Sequence, residues 1–115
     1  MRVLVCGGRT FTDYHLLTKT LLEIDPPVTV LIEGGATGAD TLAHLWAVGQ
    51  DLRTVTYGAN WEKHGRSAGP IRNQQMLDEG KPELVIAFPT FNSRGTWHMV
   101  RIARKAGVEV RVIEA

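Results

Sequence analysis

Glycine recurs in four segments of this sequence, three of which also carry arginine. Gly7-Gly8-Arg9-Thr10 comes first, and Glu33-Gly34-Gly35-Ala36-Thr37-Gly38-Ala39-Asp40 second. The third is the stretch from Trp61 through Lys63, Arg66 and Gly69-Pro70 to Arg72-Asn73, and the fourth runs from Phe88-Pro89 to Arg94-Gly95-Thr96-Trp97-His98. Glycine permits positive φ and lets a ligand come close to the backbone. A helix starting just beyond such a turn offers unpaired N–H groups and a positive dipole end to an anion. Arg9, Lys63, Arg66, Arg72 and Arg94 all lie in these segments, against the carboxylates of Glu33 and Glu62. The whole chain carries 13 basic and 12 acidic side chains, a formal charge of +1, so its positive charge is gathered locally. The chemistry this implies is capture of a phosphate-bearing small molecule.

In that reading the backbones of Gly7, Gly8, Gly34, Gly35, Thr37 and Gly38 cradle phosphate, and Arg9 and Arg72 grip it as planar forks. Asp40 or Asn73 reaches ribose hydroxyls, and Trp61 stacks on a base. Gly69, Gly95 and Thr96 complete the expected contacts. Plainer readings stand beside these: the glycines as tight turns, Asp40 as a helix cap, Trp61 as a loop anchor. The spacing is neither a Walker A, since no Gly-Lys-Ser/Thr follows, nor a clean G-x-G-x-x-G. The catalytic residue is unknown, with Glu33 and His98 as the candidates. His15, His44 and the Met76-Leu77 pair read as structural, and Cys6 as a buried strand-end residue without a partner. No metal site and no cofactor are expected.

The elements that must hold these segments are legible from the apolar pattern. Runs rich in Val, Ile, Leu and Thr predict strands over Arg2–Cys6, Val28–Glu33, Arg53–Tyr57, Glu83–Phe88 and Glu109–Ile113. Most are continuous rather than alternating, as in strands covered on both faces. Helices are predicted between them. One covers Asp13–Ile24, with Tyr14, Leu17, Leu21 and Ile24 as its stripe and Thr12 or Asp13 as N-cap. The second spans about Gly38–Val48, anchored by Leu42, Leu45, Trp46 and Val48. A third begins at Gly69, with Pro70 at the first helical position, and ends near Gly80. The last covers Thr96–Ala106, with Met99, Val100, Ala103 and Ala106 inward, Arg101 on the solvent side, and Gly107 as the stop. Gly58–Ala68 is the longest irregular stretch.

Strict β-α alternation predicts an α/β fold: a single Rossmann-like, three-layer domain over residues 1–115, with a five-stranded parallel sheet and helices on both faces. In such a sheet ligands bind beyond the carboxyl ends of the strands, where strand order reverses, and all four segments fall there. The hydrophobic fraction of 43% and charged fraction of 22% are those of an ordinary globule. The lone cysteine predicts a reducing cytoplasm, and no apolar run is long enough for a membrane span. The near-neutral charge gives no global footprint for nucleic acid, so none is expected as partner.

These same residues carry a family resemblance. Gly7-Gly8-Arg9 with Phe11-Thr12-Asp13, the Gly34–Asp40 run, Trp61, Gly65, Ala68-Gly69-Pro70 with Arg72-Asn73, Phe88-Pro89 and Gly95-Thr96 resemble the SLOG superfamily. Within it they resemble the YspA-like group related to YpsA, over almost the whole chain. The resemblance implies a Rossmann-like fold that binds nucleotides or nucleotide-derived ligands such as ADP-ribose, as a sensor or as an enzyme on nucleotide derivatives. It alone suggests a homodimer. Two more distant relatives give alternatives. Arg72 and Met76 match the Arg-x-x-x-Met element of the LOG phosphoribohydrolases, and Pro89, Gly95 and Thr96 match part of their second element. Met99, however, falls where those enzymes carry a glutamate, which argues against N-glycosidic hydrolysis. Gly38–His44 is similar to the glycine-rich stretch of DprA proteins, which would make the chain a single-stranded nucleic-acid-binding module.

Overall fold

Five parallel strands form one sheet in the computed structural model, which describes residues 1–114. They are β1 (Arg2–Gly7), β2 (Val30–Glu33), β3 (Arg53–Thr56), β4 (Leu84–Phe88) and β5 (Glu109–Val112), in the order β3-β2-β1-β4-β5. Register is fixed by pairs such as Leu4 with Ile32 on one side of β1 and Leu4 with Val85 on the other. The period of two along a strand explains the continuous apolar runs. Val3, Val5, Leu31, Ile86 and Phe88 enter the core on one face, and Leu4, Cys6, Ile32, Val85 and Ala87 the core on the other. The outer strands β3 and β5 are only half covered, which the runs at Arg53 and Glu109 do not reveal.

Helices α1 (Tyr14–Leu22) and α2 (Ala39–Gly49) cover the first face, α4 (Ala68–Gly80) and α5 (Arg94–Lys105) the second. This is the three-layer α/β arrangement expected. Asp13 caps α1 by accepting from the Leu16 amide at 3.0 Å. Leu17, Leu21 and Ile24 are buried as the stripe requires, while Tyr14 faces solvent.

Four expectations are corrected. The buried face of α2 is Ala39, Ala43, Trp46 and Ala47, whereas Leu45 and Val48 are more than half exposed. Small alanines let the helix sit close to the sheet, so the largest apolar side chains do not mark its inner face. The stretch from Gly58 is not irregular throughout: Trp61–His64 forms a short helix, α3, capped by Asn60, and Gly65–Ser67 a 3₁₀ turn leading into α4. Asn60 accepts from the Lys63 amide, so the Asn-x-x-Lys spacing is the missed signal. Helix α4 begins at Ala68, which puts Pro70 third; the first four amides have no intrahelical acceptor, so proline costs nothing there. Ala106, expected inward, is the exposed C-cap of α5, and Gly107 at φ +81° ends it as expected. No helix among the described residues is long and apolar enough to cross a membrane.

Candidate functional site

Strand order reverses between β1 and β4, and a cleft of about 840 Å³ opens there at the carboxyl ends of both strands. The turn after β1 forms its floor with Gly7, Gly8 and Arg9. The β4–α5 turn forms one wall with Thr90–Thr96, and the start of α4 the other with Gly69, Arg72 and Asn73. Asp40 and Trp61 also line it. Gly34, Gly35 and Thr37 border an adjoining, smaller hollow of about 290 Å³, shared with Arg9, Trp61 and Arg72. Gly38 lines neither. Its φ of +78° and its closeness to the Gly8 carbonyl leave no room for a side chain, so it serves loop-on-loop packing.

The glycine loop after β2 is already occupied by the protein's own acids. The amides of Gly34 and Ala36 donate to Asp40 Oδ2 at 3.1 and 3.3 Å, and the amide of Gly35 donates to Glu33 Oε1. Asp40 therefore sits in the first turn of α2 and reaches back, rather than capping the helix from outside. Burial pushes its carboxyl up to about 6, against the opposing pull of the Ala36 amide and the Arg72 guanidinium. Glu33 is 2% exposed; its Oε2 accepts from Thr56 Oγ1 and meets His44 Nδ1 at 3.2 Å. It does not line the cleft, and its partner is the His44 that the sequence reads as merely structural.

The turn before α5 differs. Ser93 Oγ donates to the Thr90 carbonyl at 2.8 Å and receives the Thr90 amide, so it makes no cap for α5. The first-turn amides of Arg94, Gly95 and Thr96 are left without a side-chain cap at the wall of the cleft. Beside them Thr96 Oγ1 is buried with no partner among the described residues. Helix spacing then lines one edge of α5 with Arg94, His98 and Arg101, at steps of four and three. Arg101 is exposed, as expected, and also lines the cleft.

A hydrogen-bonded strap crosses behind the cleft. Arg72 donates through Nη1 to the Gly34 carbonyl at 2.5 Å and through Nε to Asn73 Oδ1 at 3.0 Å. Asn73 Nδ2 donates to the Gly95 carbonyl and reaches His98 Nδ1, both at 3.1 Å. Asn73 is 4% exposed with its amide fully engaged, so it positions the walls instead of reaching out to a sugar. Arg72 is half committed to this strap, leaving Nη2 for other partners. Arg9 lies 5.6 Å from the ring centre of Trp61, a cation–π contact that occupies one face of the indole expected to stack on a base. Phe91, which the sequence reading passed over, stands 99% exposed at the rim of the same cleft.

Arg9, Arg66, Arg72, Arg94 and Arg101 thus surround the cleft, with Asp40 as its one lining carboxylate among the described residues. Burial also pushes the Cys6 thiol up, so it faces the cleft as a neutral group. No cluster of three His, Cys, Asp or Glu suited to a metal occurs among the described residues.

Known proteins are similar to this chain in sequence or in fold. The Gene 61 protein of Mycobacterium phage D29 is 40% identical over 117 residues, spanning 95% of this chain and 93% of that protein. DNA processing protein A (DprA) from Streptococcus pneumoniae has the same fold, with a TM-score of 0.80 at 18% identity over 99% of this chain. The match takes in 50% of DprA, so this chain spans half that structure's length. A profile of the YspA, cpYpsA-related SLOG family matches residues 1–64, more than half of the sequence and both of its first two glycine turns. The chain belongs to the YspA, cpYpsA-related SLOG family.

Proposed function

We propose that the cleft binds a nucleotide-derived, phosphate-bearing small molecule of the ADP-ribose type. The observation that carries this reading is the uncapped N-terminus of α5, open to a cleft that five arginines and one carboxylate line among the described residues. Free first-turn amides and a positive dipole end favour an anion, and arginine supplies forked donors to phosphate oxygens. The phosphate is therefore assigned to the α5 end and to Arg94 and Arg101. The amides of Gly34–Ala36 are held by Asp40 and Glu33. The base lies between the rim aromatics Trp61 and Phe91. A cytoplasmic setting is part of this reading, supported by the buried, unpaired Cys6.

Calorimetry with ADP-ribose tests it. Binding with a Kd at or below about 100 μM, some 5 kcal/mol, is expected, together with a rise in melting temperature that scales with ligand concentration. Absence of both at millimolar ADP-ribose and AMP removes the nucleotide reading. A second reading rests on the exposed Phe91 and Trp61 beside the arginines, since single-stranded nucleic acid is held by stacking and basic side chains. It predicts affinity that rises with oligonucleotide length and falls steeply with salt, neither of which a mononucleotide site would show.

A further inference from the structure

The strap behind the cleft fixes a proton as well as a geometry. Arg72 Nε carries a hydrogen and can only donate, so the atom of Asn73 that faces it must be the carbonyl Oδ1. The Gly95 carbonyl can only accept, which independently requires Nδ2 on the other side of the same amide. Nδ2 has two hydrogens: one goes to Gly95, and the other points at His98 Nδ1. His98 Nδ1 must then be the acceptor, and the neutral ring carries its proton on Nε2. Protonating Nδ1 would set two donors face to face. The charged surroundings agree: Arg94 and Arg101 share the helix edge with His98, Arg72 stands behind Asn73, and Asp40 is the one carboxylate lining the cleft among the described residues.

We propose that His98 is a ligand-positioning residue that presents a neutral Nε2–H donor to the cleft, for an uncharged oxygen of the ligand rather than its phosphate. The ligand part of this proposal rests on the nucleotide reading above; the tautomer does not. Arginines and the α5 amides already answer the anion, and a cationic imidazole beside them would only add repulsion. A neutral donor within that cationic wall selects instead for a hydroxyl or carbonyl oxygen, such as those of ribose or a base. Burial and the neighbouring Arg101 both lower the affinity of His98 for a second proton, in keeping with this role.

Long-range ¹H–¹⁵N correlation spectra of the full chain test the tautomer, with the His98 signals assigned by their loss in His98→Gln. The Nε2–H pattern is expected, with titration below the ordinary histidine value of about 6.5. An Nδ1–H pattern overturns the proposal. Asn73→Asp should put a carboxylate against Nδ1 and raise the His98 pKa by at least about one unit; an unmoved titration in a folded variant overturns it too. Should that variant not fold, the wild-type spectrum decides alone. The ligand role is read with ADP-ribose: His98→Ala should bind roughly tenfold more weakly, and His98→Gln, which keeps an N–H donor, should recover most of the loss. Equal affinity of wild type and His98→Ala refutes the ligand role. A wild type that binds no ADP-ribose refutes the nucleotide reading instead, and leaves the tautomer to stand or fall on its own spectra.

Discussion

Asp40 turns its carboxylate back on its own loop, where it holds two amides and faces Arg72 from the floor of the cleft. Burial lifts its carboxyl from the ordinary aspartate value of 3.8 to about 6, so the folded protein holds this proton more tightly than the unfolded chain. The sign follows: stability from this group is greatest below about pH 4 and is lost as pH rises through about 6, a change on the order of 3 kcal/mol. Asp40→Asn keeps an oxygen for both amides and removes the charge. It should flatten that dependence, and urea unfolding of both proteins at about pH 4.5 and 7 would show it. If the variant keeps the wild-type difference between the two pH values, Asp40 is not the titrating group. Arg72 is constrained in a matching way. Arg72→Lys has no planar fork with separate donors for Gly34 and Asn73, so it should lose nearly as much stability as Arg72→Ala, about 1–3 kcal/mol. Full recovery by lysine in denaturant melts would show that only the charge matters. The sequence makes both residues visible as candidates. It does not show that they answer each other's loops, because that pairing bridges 38 positions between Gly34 and Arg72.

At the scale of elements, the same glycine-rich signal has two different outcomes. The turn after β2 closes on its own carboxylates, while the turn before α5 stays open because Ser93 bonds Thr90 instead of the helix. Sequence pattern cannot separate these, since Glu33 and Asp40 on one side and Ser93 on the other are all ordinary partners for loop amides. Strand positions and the α1 cap are legible, because period-two burial and Asp-x-x-Leu capping are local. The inner face of α2 is not, because it depends on how closely alanines approach the sheet. Arg101 was legible in principle from its steps of three and seven from His98 and Arg94. Gly95 isolates the open turn. A Cβ there meets nothing, and its φ is not positive, so Gly95→Ala should stabilise the free protein by a few tenths to about 1 kcal/mol. The added methyl stands among the α5 amides, however, and should weaken ADP-ribose binding at least about tenfold, some 1.4 kcal/mol. Melting curves with and without ligand separate the two effects. A variant that gains stability and keeps its full affinity would take the α5 N-terminus out of the phosphate site.

For the whole molecule the question is whether the cleft only holds its ligand or also breaks it. Cleaving an N-glycosidic bond builds positive charge on the sugar, which a nearby carboxylate stabilises or answers by activating water. Neither expected position supplies one. Met99 is fully buried in the core, and Glu33 faces Thr56 and His44 away from the cleft. The wall is cationic, which opposes an oxocarbenium-like transition state. Among the described residues Asp40 alone lines the cleft with a carboxyl, and its Oδ2 is held by the Gly34 and Ala36 amides, though its pKa of about 6 suits proton transfer near neutrality. The expected outcome is therefore release of base from AMP or ADP-ribose far below ordinary enzyme rates of about 1 per second. Chromatography of free base after incubation with purified protein measures it. Turnover at or above that rate would reject the binding-only reading, and its pH profile would then identify the group. A limb near pH 6 that vanishes in Asp40→Asn would make Asp40 the acid–base residue. A profile indifferent to Asp40 would direct the search to His98, which also lines the cleft.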